Sequence, residues 1–158
     1  MELKDEFIIE KIAPDTVEES GRVHSVWLTM RKEEIILNGE SGVFEHKQKM
    51  ENELPSYLGK KVLSEAHLID FEKRKIGLEG KKQIKQLDSR YYEIEGEVIE
   101  IIKETVIQDN EELDISKLLM DCDFKYLISQ SNKNPCNVGD YVWTKGYLLF
   151  SKIELIDK

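Results

Sequence analysis

Short runs that alternate apolar and polar residues recur along the chain, and each predicts a strand with one buried face. Arg22-Val23-His24-Ser25-Val26-Trp27-Leu28 alternates imperfectly, and Glu33-Glu34-Ile35-Ile36-Leu37 follows it closely. Asn38-Gly39 ends the second run and predicts a turn, because both residues accept positive φ. Further strands are read from Lys61 to Ile69, Lys75 to Leu78, Tyr92 to Ile101, Ser116 to Met120, Phe124 to Ile128 and Tyr141 to Leu148. Their β-branched and aromatic residues favour strand over helix in runs this short.

Two windows read as helix instead. Residues 44–54 are rich in Glu, Lys, Gln and Met, good helix formers, and Pro55 supplies the stop. Residues 81–90 give a weaker helical pattern.

A faint internal repeat organises these elements. Leu58-Gly59-Lys60-Lys61-Val62 is echoed by Val138-Gly139-Asp140-Tyr141-Val142, and Leu68 falls opposite Leu148 at the same offset. Gly21-Arg22-Val23-His24-Ser25-Val26 is echoed by Gly96-Glu97-Val98-Ile99-Glu100-Ile101, at a different offset that requires an insertion or deletion between the two. A glycine before a strand lets the chain turn tightly, and the valine after it points into a core. With its helix before the last two strands, the first half resembles an OB-like barrel. The second half departs from that pattern, since the loop Ser131-Asn132-Lys133-Asn134-Pro135-Cys136-Asn137 replaces the helix. The expected fold is mainly β, a β-rich α+β chain of two similar small curved sheets or OB-like barrels in tandem, with one or two short helices. Residues 1–85 make an N-terminal β-rich subdomain with one helix and residues 86–158 a C-terminal one, separate or packed as a single domain.

Composition narrows the partners. The chain has 158 residues, enough to bury a core, and carries 23 Lys and Arg against 32 Asp and Glu, a formal charge of -9. That field repels nucleic-acid phosphates and anionic membrane surfaces and attracts basic proteins. Met1-Glu2-Leu3-Lys4-Asp5-Glu6 places acids where an export signal needs positive charge, and Phe7-Ile8-Ile9 is too short for its apolar core. No run approaches a membrane span. The expected location is the cytoplasm, with Cys122 and Cys136 as free thiols.

Candidate chemistry is sparse. The three histidines, His24, His46 and His67, lack metal-ligand spacing and read as surface or satisfied polar residues. In Asp121-Cys122-Asp123 the carboxylates raise the thiol pKa, the wrong direction for a nucleophile, so Cys122 reads as a small buried hydrophobe in a strand. Cys136, in its Pro-Asn loop, reads as exposed and oxidisable. Adjacent acidic pairs such as Glu18-Glu19, Glu33-Glu34 and Glu111-Glu112 point to opposite sides of a strand and do not converge. No catalytic residue, metal ligand or cofactor is expected.

Two features point to binding. The basic stretch Lys73-Arg74-Lys75 and Lys81-Lys82-Gln83-Ile84-Lys85 stands out in an acidic chain and suits phosphate, or a solvated connector. Tyr141 and Trp143 share a strand face opposite Val142, with Tyr147 further along; exposed, they make a stacking platform or a hot spot for a protein, and buried they are core. The expected function is a non-enzymatic acidic binding module for a protein, such as one neutralising a basic or nuclease-like partner. The alternatives are an OB-like binder of single-stranded nucleic acid, which the net charge disfavours, and an enzyme with dispersed carboxylates. No membrane partner is expected.

Overall fold

Glu33 and Glu34, rather than Asn38 and Gly39, turn the hairpin within residues 23–42. β2 (Val23–Lys32) pairs antiparallel with β3 (Ile35–Gly42), Lys32 opposite Ile35, and Glu33 takes the positive φ, 54°, that a two-residue link needs. Asn38 and Gly39 lie inside β3, opposite Thr29 and Leu28. Gly39 serves close approach instead. It pairs in parallel with Leu148, and a Cβ there would stand 2.5 Å from Phe150 Cε2 and 2.8 Å from the Leu148 carbonyl oxygen.

The computed structural model describes residues 2–17, 19, 23–42 and 54–156. Among them the chain is mainly β, with nine strands. Besides β2 and β3 these are β1 (Asp5–Val17), β4 (Lys61–Gly77), β5 (Gln83–Gln86), β6 (Tyr92–Gln108), β7 (Glu111–Asp121), β8 (Lys125–Ser129) and β9 (Tyr141–Leu155). A 3-10 turn spans Leu54–Tyr57. Most of the helix expected over 44–54 lies outside the described residues, and Leu54 opens the 3-10 turn. The helical reading of 81–90 is corrected. Gln83–Gln86 is β5, because pairing with β6, Ile84 opposite Ile94, outweighs a weak local propensity. No helix among the described residues is long and apolar enough to cross a membrane.

Contacts divide the chain into two compact units, Met1–His67 with Tyr147–Lys158, and Leu68–Gly146. β4 and β9 supply residues to both.

In the first unit β1, β2 and β3 form an antiparallel meander. The start of β4 returns to β1, Phe7 opposite Val62, and the end of β9 runs parallel to β3. Phe7, Ile9, Leu28, Met30, Leu37 and Phe150 fill its core, with the Phe7 and Phe150 rings edge to face at 5.7 Å. Each such side chain removed from water stabilises the fold by about 1.5–3 kcal/mol.

In the second unit β6, β7 and β8 form the meander, and the start of β9 lies along the other edge of β6, Gly96 opposite Val142. Tyr92, Ile94, Val98, Leu118, Phe124 and Tyr126 are buried, the last two aromatics stacked at 5.1 Å.

The corners before β4 and β9 match in detail. Gly59 and Gly139 both hold positive φ, 79° and 96°. Gly59 N–H donates to the Ile9 carbonyl at 2.7 Å, and Gly139 N–H donates to the Val98 carbonyl at 2.9 Å. Ile9 N–H returns a bond to Lys60 at 3.2 Å, and Val98 N–H returns one to Asp140 at 2.8 Å. Leu58 and Val138 are exposed, and Val62, Val142, Leu68 and Leu148 are buried.

Candidate functional site

Alternation along β9 sets the aromatic face. Val142, Thr144 and Leu148 are buried, while Tyr141, Trp143 and Tyr147 are half-buried on the opposite face. Tyr141 and Trp143 belong to the unit Leu68–Gly146, and Tyr147 to the other. Across the β6 ladder Tyr141 faces Glu97, Trp143 faces Glu95 and Lys145 faces Glu93.

Both rings in this unit have close neighbours. The Arg74 guanidinium carbon stands 4.3 Å from the Trp143 ring centroid, a cation–π contact. Gly80 lies against Tyr141, where a Cβ would collide with its Cβ and Cγ. The same loop caps Glu95, 8% exposed, whose carboxylate accepts the Lys81 backbone N–H at 2.6 Å and Gln83 Nε2 at 3.3 Å. A carboxylate this buried requires such donors.

The remaining basic residues are scattered by the fold. Lys73 Nζ donates to the carbonyl and hydroxyl of Ser129 at 2.6 and 3.0 Å. Lys75 Nζ donates to the Pro135 carbonyl at 3.2 Å and lies 3.5 Å from Asp140 Oδ2. Lys82 Nζ lies 2.6 Å from Asp121 Oδ2 and 3.9 Å from Glu97 Oε1. The hydrogen bond to Asp121 is the first cause holding the Lys82 pKa above its ordinary value. Lys81 is exposed. The structure thus brings Arg74 to Trp143 and Lys82 to two carboxylates, and it turns Lys73 and Lys75 toward the connection between β8 and β9.

The thiols differ in part from expectation. Cys122 is buried but lies in the bend after β7 rather than in a strand. Burial first, then Asp123 and Asp121, push its pKa up to about 12. Cys136 is buried, not exposed, because Gln130 latches its loop by accepting the Cys136 N–H at 2.9 Å and donating to its carbonyl at 3.0 Å. Burial is the first cause raising its pKa. Both thiols are free.

In the first unit, His67 Nε2 lies 3.1 Å from both Glu65 Oε1 and Ser151 Oγ, and Lys152 Nζ lies 3.2 Å from Glu65 Oε2. A nucleophilic triad sets carboxylate and hydroxyl on opposite ring nitrogens. Here they share one, so the cluster is a satisfied polar contact. His46 lies outside the described residues, and His24 is described only as backbone of β2. Among the described residues no group of three or more His, Cys, Asp or Glu is placed to hold a metal ion.

One surface escaped the sequence reading, the far end of the β6–β7 hairpin, where Ile107, Leu113 and Ile115 are exposed. Asp109-Asn110 between apolar runs is the turn signal that marks it. Compared with protein-family models, characterised proteins and solved structures, the chain matches none.

Proposed function

We propose that this chain is a non-enzymatic binding module of the cytoplasm that meets a basic protein, for example by neutralising a nuclease-like partner. One observation carries the reading. The amines of Lys73, Lys75 and Lys82 are engaged by carbonyls, a hydroxyl and carboxylates of their own unit, while the chain as a whole keeps a surplus of acids, 32 against 23. Phosphate affinity comes chiefly from unengaged Lys and Arg, and these three amines already hold partners within their unit. The surplus acids speed encounter with a basic surface.

The fold reading we attach to this is a pair of OB-like barrels. Its support is that each unit has a three-strand meander whose first strand also pairs with a later one, the Greek-key arrangement. The matched corners at Gly59 and Gly139 support equivalence of the units. The repeat rests on that echo alone. The other joins residues of β2 to residues of β6, whereas the bonds made by Ile9 of β1 are the ones repeated by Val98 of β6.

The arrangement of Arg74 on Trp143 beside Tyr141 favours a second reading, binding of single-stranded nucleic acid by stacking. A gel-shift titration with mixed single-stranded DNA and RNA separates the two. No shift is expected at micromolar protein and ~0.15 M salt, where screening acts beyond about 8 Å. A shift there, lost in Trp143→Ala, overturns the protein-binding reading. With a partner identified from the source cell, association slows markedly as salt rises while dissociation changes less.

A further inference from the structure

The β6–β7 hairpin outruns its neighbours. β9 flanks β6 only over residues 92–97, and β8 flanks β7 only over 117–121. Beyond them the two strands pair with each other as far as Gln108 opposite Glu111. Asp109 and Asn110 close the turn with φ of 53° and 64°, the pair of positive values that suits strand twist. Among the described residues no strand flanks residues 102–108 or 111–115, so the backbone edges of both carry unused donors and acceptors.

The register sorts the side chains. One side of the ribbon carries Ile102, Val106, Leu113 and Ile115, with Val106 directly opposite Leu113. Leu113 and Ile115 are exposed, and Ile107, on the other side near the turn, is 76% exposed. Apolar side chains grouped on an extended ribbon mark an interaction surface. Charge selects the occupant. Residues 103–117 hold five acids, Glu104, Asp109, Glu111, Glu112 and Asp114, against Lys103 and Lys117. Lys117 lies 3.6 Å from Glu104, one of those acids. Like charges repel a second copy of the ribbon and a nucleic-acid backbone alike, and they complement a cationic one.

We propose that the apolar side of this ribbon docks an extended, basic protein segment whose apolar residues alternate with Lys or Arg, added as a strand along its edge. The proposal rests on the basic-partner reading above and assigns it a surface.

The probe is a short fluorescent peptide alternating lysine and valine, with an alternating glutamate–valine peptide as control, followed by anisotropy. Wild-type protein binds the lysine peptide and not the control. Leu113→Thr with Ile115→Thr, which places β-branched, strand-favouring residues at both positions of an exposed strand, weakens binding about tenfold. Glu111→Gln with Glu112→Gln weakens it and flattens its salt dependence. A spin-labelled lysine peptide broadens amide signals of residues 102–117 in unaltered protein, which reads the surface without any substitution. Binding that is equal in the Thr variant, with broadening elsewhere, overturns the surface and leaves the basic-partner reading standing. No binding by wild type, or binding to the glutamate peptide, overturns both.

Discussion

The guanidinium of Arg74 lies over the indole of Trp143, its carbon 4.3 Å from the ring centroid. The two residues come from β4 and β9 and are 69 positions apart, yet they form the contact on which the stacking alternative turns. A base stacking on this face of Trp143 must first displace the cation. In a Trp27→Phe background, Arg74→Ala is expected to shift Trp143 emission to the red, increase its quenching by acrylamide and cost about 0.5–1 kcal/mol. Unchanged emission and quenching count against the contact.

Lys82 gives the molecule an alkaline limb. Its folded pKa is raised above 10.5, chiefly by the hydrogen bond to Asp121. Its contribution is therefore complete below that value and is lost as pH rises through the folded pKa. The pair is one-third exposed on the lysine side, so its worth is that of a surface bridge, about 0.2–1 kcal/mol. Urea denaturation of wild type and Lys82→Met should differ by that amount at neutral pH and converge above pH 10.5. A difference that grows with pH contradicts this sign.

The thiols predict a second, independent observable. With Cys122 pushed up to about 12 and Cys136 also raised, both stay protonated and buried at pH 8 in the native protein. A thiol-specific reagent should titrate neither rapidly before denaturation and both after it. The raised Cys122 pKa also withdraws stability as pH climbs from 9.0 to about 12, a loss that Cys122→Ala removes.

The glycines separate steric from conformational cost. Gly39→Ala drives a methyl group into the Phe150 ring and the Leu148 carbonyl, and should cost about 1–3 kcal/mol, partly recovered by Phe150→Leu, which removes the ring but not the carbonyl. At Gly59 nothing lies within 4 Å of an added Cβ, and at Gly139 only Leu78 Cδ2 does, at 3.8 Å. Their Ala variants therefore report backbone strain alone, about 1–2 kcal/mol each. If the corners are equivalent, the two costs agree within ~0.5 kcal/mol in denaturant titrations.

Strands are legible in the sequence where residues i and i+2 carry the signal. Alternation marks the strands from Tyr92 to Ile101 and from Tyr141 to Leu148, but not the continuation of β6 to Gln108, beyond a register shift between Val98 and Glu100, or of β9 to Leu155. β1 is not legible, because register shifts between Ile9 and Lys11, Pro14 and Thr16, and Thr16 and Val17 break the period. The basic stretch was visible as composition, but its engagement was not. The carbonyl of Ser129 lies 56 positions from Lys73, and the carboxylate of Asp121 lies 39 from Lys82.

The sequence by itself determined the β class, the strands with unbroken alternation and the acidic field, since these depend on near neighbours or on simple sums of charge. Only the tertiary structure decided that Gly39 spaces a parallel strand rather than turns a hairpin, that β4 and β9 serve both units, that Lys73, Lys75 and Lys82 are engaged and that no strand among the described residues flanks the end of the β6–β7 ribbon. Each of those depends on which distant strand arrives alongside, and pairing energy between residues tens of positions apart outweighs local propensity.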